Sequence, residues 1–80
     1  MKLLIFVTED GAADAAVDAL VEQGFRVTRL ASTGGFLRKG NTTLLVGVED
    51  EKIGQASELV RGAAKGALAI TLDLERYERM

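Results

Sequence analysis

The chain contains neither cysteine nor histidine. Disulfides, thiol nucleophiles, the commonest zinc ligands and the usual neutral-pH general base are therefore excluded at the outset. Aromatic residues are nearly as scarce, since Phe6, Phe25, Phe36 and Tyr77 are the whole set and the 48% hydrophobic content is mostly Ala, Val and Leu. Eighty residues of this kind predict one small domain over 1–80 with a thin core, stabilised by association with further subunits. Long apolar runs are missing too. The opening segment Met1 to Val7 is soon followed by Glu9 and Asp10, so it is too short for a signal core or a membrane span, and a cytoplasmic location is expected.

An excess of positive charge is also lacking: the net charge is −2, which argues against general nucleic-acid binding. The distribution says more. Between Gly24 and Val48 stand four cations (Arg26, Arg29, Arg38, Lys39) and no acid, whereas the rest of the chain carries six cations against twelve acids. A local positive island in an acidic chain suits a small anion better than a polyphosphate polymer.

What is present reads as β-α-β-β-α-β. Lys2 to Val7 is an apolar run with β-branched and aromatic members, as in a buried strand. Thr8 to Gly11 supplies capping oxygens for a helix whose apolar stripe is Ala13, Ala16, Val17, Leu20 and Val21, and Gly24 ends it. Phe25 to Ala31 begins as an alternating strand that places Arg26 and Thr28 on one side of the sheet; the phase breaks at Arg29 and Leu30, which predicts a bulge. Thr42 to Val48 reads as the third strand, and Glu49-Asp50 opens a second helix with Ile53, Ala56, Leu59, Val60 and Ala63 inward. Gly62 to Gly66 reads as a short joint before a last strand at Ala67 to Leu72 and a charged tail. The order predicts an α+β, ferredoxin-like sandwich with both helices on one face. The other face is too apolar for water, which points to oligomerisation through the sheet.

The unusual stretch is the connection centred on Thr33-Gly34-Gly35-Phe36-Leu37-Arg38-Lys39-Gly40-Asn41-Thr42-Thr43. It is long for a strand-to-strand connection. Gly35 to Thr42 is one residue from a P-loop pattern, but a P-loop leads into a helix and this segment leads into another strand, so that reading is rejected. A different phosphate cradle fits the residues. The Gly34-Gly35 pair lets backbone N–H groups converge on an anion, Arg26 and Arg29 offer charge-assisted bonds, Phe36 offers a stacking face and the Asn41 amide can read an adenine edge. A plain glycine hairpin with solvated cations stays open as the alternative. The acidic clusters Asp14/Asp18/Glu22 and Glu49/Asp50/Glu51 read as solvated faces and helix starts, and no metal site is expected.

The run from Gly24 to Thr43 resembles the signature of the PII-like cyclic-di-AMP receptor family, with weaker similarity at Met1 to Val7 and at Ala69 to Met80. The resemblance implies a homotrimer of ferredoxin-like subunits, related to the PII signalling proteins, that binds one cyclic dinucleotide in each cleft between neighbours. It implies ligand contacts from Arg26 and Thr28 on the second strand, from Gly35, Phe36 and Leu37 in the loop, from Asn41 beyond it and from Gly47 where close approach is needed. Arg79 stands near where the family's tail reaches the ligand. One departure is clear: the family's long Gly/Pro-rich loop before the last strand is replaced here by Gly62 to Gly66, and the chain has no proline.

The expectation is therefore a signal-transduction protein that binds cyclic-di-AMP without catalysis or cofactor. Its ligand orders the 32–41 loop, its partners are its own copies and a downstream protein target, and neither nucleic-acid polymer nor membrane is involved. A PII-like trimeric scaffold that contacts a protein and binds no nucleotide is the alternative. An enzyme is the least favoured class, since no paired nucleophile and base is visible.

Overall fold

The structure is a computed structural model and describes residues 1–31 and 40–74. Strand β1 (Lys2–Glu9) leads directly into helix α1 (Asp10–Glu22), then β2 (Val27–Ala31) and β3 (Asn41–Val48). A 3-10 turn (Asp50–Lys52) runs into α2 (Ile53–Ala63), and β4 (Leu68–Asp73) closes the order β-α-β-β-α-β. The four strands form one antiparallel sheet in the order β2-β3-β1-β4. Each helix thus connects two strands that have a third between them, the split βαβ arrangement expected from the sequence.

The burial of β1 explains the layering. Leu4, Phe6 and Thr8 are buried, with Phe6 opposite Leu44 on β3 and Ala69 on β4. Strand alternation sends these residues toward the helices, where Leu44, Val46 and Val48 join them against Ala16, Leu20, Ala56, Val60 and Ala64. The helices contribute mainly alanine at the contact, so they lie close to the sheet. Val21, read as part of the α1 stripe, is instead 55% exposed at the edge of that stripe in the last turn.

Turn chemistry sets the ends of α1. Glu9 makes no side-chain cap, contrary to the expected capping at Thr8 to Gly11. The Asp10 N–H donates to the Gly40 carbonyl at 2.8 Å, and the Thr42 hydroxyl donates to Asp10 Oδ1 at 2.6 Å, so the start of β3 ties down the helix. At the other end the Phe25 N–H donates to the Leu20 carbonyl and the Gly24 N–H to that of Val21, with Gly24 at φ +86°. This is a Schellman motif, and it needs the left-handed conformation that glycine adopts without a Cβ penalty.

Two further expectations are corrected. The β2–β3 register runs without interruption from Val27↔Val46 to Ala31↔Thr42, so there is no bulge at Arg29. Arg29 keeps the alternation, lying on the helical side of an edge strand where it pairs with Asp14 of α1. The joint before β4 is also shorter than Gly62 to Gly66: α2 continues through Ala63, and the turn from Ala64 to Ala67 is closed by the Ala67 N–H on the Ala64 carbonyl at 3.2 Å, with Gly66 at φ +83°.

The face of the sheet away from the helices carries Leu3, Ile5 and Val7 of β1. Ile5 lies between Leu45 and Ile70, Leu3 is opposite Leu72, and Val7 is opposite Leu68. Leu30, Leu68, Ile70 and Leu72 are each at least 40% exposed. Among the described residues, this face is therefore largely apolar.

Candidate functional site

Because β2 and β3 are antiparallel neighbours, the segment entering β2 and the segment leaving β3 lie at the same end of the sheet. Between them is a cleft of about 910 Å³ whose lining includes Gln23, Arg26, Thr28, Gly47, Glu49 and Lys52. Met1 and Leu74 border it as well. There the Leu74 N–H donates to the Met1 carbonyl at 3.1 Å, and the Met1 ammonium lies 3.6 Å from Asp50. The volume falls within the range of small-molecule sites.

Arg26 and Thr28 reach this cleft together, two residues apart on one side of the chain. Both are exposed, and Arg26 has no ion-pair partner among the described residues. Arg29 lies on the other face, paired with Asp14, so the second strand arginine proposed from the sequence is not part of this cleft. Gly47 is an exposed position inside an eight-residue strand, and its φ is not positive. Among the described residues, nothing lies within 4 Å of where its Cβ would stand. Neither backbone conformation nor packing among the described residues calls for glycine there, although glycine weakens a strand interior.

Asn41 is elsewhere. It begins β3, six positions from Gly47 on the same face of the strand, a separation of about 20 Å at the usual strand rise. It lines a second cleft of about 750 Å³ with Thr8, Glu9, Asp10, Gly40, Gly66 and Leu68. The shortened α2–β4 turn therefore borders the cleft that holds Asn41. Between the two ends, the Thr43 hydroxyl is buried and has no hydrogen-bond partner among the described residues.

Residues 1–76 match the family model described as Cyclic-di-AMP receptor. The chain belongs to the cyclic-di-AMP receptor family. It is also similar to a crystal structure described as that of a functionally unknown protein from Pediococcus pentosaceus ATCC 25745, with 30% identity and a TM-score of 0.85 over 99% of this chain and 96% of that one.

In this family member, three of the residues singled out from the sequence (Arg26, Thr28 and Gly47) meet in one cleft, and Asn41 lies in the other. Gly35, Phe36 and Leu37, the expected ordering of the 32–41 loop by ligand, and Arg79 fall outside the described residues. Lys52 and Glu49 were missed. Lys52 is 13 positions beyond the last cation of the basic island and has acids at Asp50 and Glu51, so only the fold brings it to the same cleft as Arg26. Among the described residues, no cluster of three metal-ligating side chains occurs and no helix is long and apolar enough to cross a membrane.

Proposed function

We propose that this chain is a PII-like signalling protein that binds cyclic-di-AMP between the subunits of a homotrimer, without catalysing a reaction. The observation that carries the reading is the division of the site residues between the two ends of β3. Arg26, Thr28 and Gly47 line one cleft and Asn41 lines another, too far apart along one strand for a single compact macrocycle to touch both. Two subunits packed through the exposed sheet face resolve this, because the Asn41 end of one is then brought to the Arg26 end of its neighbour. The exposed apolar residues of that face, Leu30, Leu68, Ile70 and Leu72, support such packing.

Each residue then has a chemical task. Arg26 meets a phosphodiester with charge-assisted hydrogen bonds, Thr28 adds a hydroxyl donor and Gly47 leaves room for the ligand to lie on the strand. Asn41 both donates and accepts, as reading an adenine edge requires. Gly35, Phe36 and Leu37 complete the site from the β2–β3 connection by the family pattern, and signalling to a protein target follows from a surface that changes with occupancy.

Titration calorimetry with cyclic-di-AMP, cyclic-di-GMP and ATP, alongside sedimentation, tests the reading. Heat with cyclic-di-AMP at one ligand per subunit, on a species of three subunits, is expected. A trimer that gives no heat with cyclic-di-AMP would return the chain to the scaffold alternative.

A further inference from the structure

A cyclic dinucleotide carries two phosphodiester charges, and a second cation in the cleft beside Gly47 strengthens its hold on them. Arg29, the nearest strand cation in sequence, is removed from consideration by its pairing with Asp14 on the helical side. Among the described residues, the cationic side chains that line the cleft are Arg26 and Lys52. They come from different segments: Arg26 from that between α1 and β2, Lys52 from the turn between β3 and α2.

We infer that Lys52 is the second phosphate-binding cation of this cleft, acting together with Arg26. Three observations support it. Lys52 sits on a short 3-10 turn closed by its own N–H on the Glu49 carbonyl at 2.9 Å, which sets where its side chain starts. Its ammonium makes no ion pair among the described residues, although Glu49 lines the same cleft. It is also a flexible point charge rather than a planar fork, which suits a phosphodiester that turns as the macrocycle settles. Glu49 beside it raises selectivity by opposing anions that bring no second contact to offset the repulsion.

The inference rests on the reading that the cleft holds cyclic-di-AMP, and the test separates the two. Calorimetry of Lys52→Gln at low and moderate salt is expected to show roughly tenfold weaker cyclic-di-AMP binding, as for loss of a charged hydrogen bond. Part of the salt dependence of the wild-type affinity disappears with it, which a merely structural role for Lys52 would not produce. Lys52→Arg restores both. If Lys52→Gln binds with unchanged affinity and salt dependence while Arg26→Gln is impaired, the inference fails and the functional reading stands. If the wild-type protein does not bind cyclic-di-AMP, both fail together.

Discussion

Gly47 lies directly across from Leu3 in the β1–β3 ladder, and the space where its side chain would stand is empty to 4 Å. On the proposed reading, that open space in the cleft is where the ligand lies against the strand. Gly47→Val should therefore fold normally, since a β-branched residue suits a strand and shifts stability by no more than ~1 kcal/mol. Cyclic-di-AMP affinity should nevertheless fall by about tenfold or more, as when extra methyl groups enter a filled contact. Circular dichroism melts with calorimetry check both halves, and unchanged affinity would take Gly47 out of the site.

The two arginines of the β2 region make an internal control, three residues apart with opposite surroundings. Arg26 lines the cleft, whereas Arg29 holds Asp14 on the helical face. Replacing Arg29 with Gln should leave ligand affinity within about twofold and cost at most ~1 kcal/mol of stability, as for an exposed pair. Arg26→Gln should leave stability unchanged and weaken binding by roughly 10- to 100-fold. The reverse pattern, read by the same calorimetry, would place the ligand on the helical side of the sheet.

These contrasts also mark what the sequence could convey. The continuous apolar run of β1 and the alanine stripes of the helices were legible because burial leaves its mark in the order of residues, and they carried the whole element order. Arg29 was misread because charge on an inward-phased position looks like a broken strand; on an edge strand the side chain simply passes the helix and meets Asp14. Gly62 looked like the start of a joint, yet α2 runs through it because Val60 and Ala64 on either side are buried and hold the last turn. Arg26 and Thr28 share a cleft because strand alternation is local. That Asn41 and Gly47 stand at opposite ends of one strand follows from the third strand itself, whereas that Lys52 joins Arg26 in one cleft depends on bringing distant segments together, which no local pattern encodes.

The exposed sheet face gives a prediction about assembly. Ile70 is opposite Ile5 at the centre of the apolar patch and is 40% exposed in the single chain. Ile70→Lys adds a charge on that face without touching the core beneath the helices, so the secondary structure should persist. Sedimentation should change from a species of three subunits to the 8.5 kDa chain, because an unpaired charge at a packed interface is costly. Cyclic-di-AMP binding should be lost with the assembly. A wild-type protein that already sediments as a single chain would remove the interface, and with it the shared site.

The strongest test of a site divided between neighbours is to break its two halves in different chains. Arg26→Gln and Asn41→Ala each damage every site of a homotrimer, since each interface takes one residue from either partner. When the two variants are unfolded together and refolded at equal concentration, some interfaces combine the intact Arg26 of an Asn41→Ala chain with the intact Asn41 of an Arg26→Gln chain. Random assembly into a cyclic trimer restores about a quarter of the sites, with the affinity of the wild type at each. Calorimetry of the mixture should therefore show a tight class of sites that neither parent has. Were Arg26 and Asn41 to serve one ligand within a single chain, mixing would restore nothing, and the separation of their clefts along β3 would need another explanation.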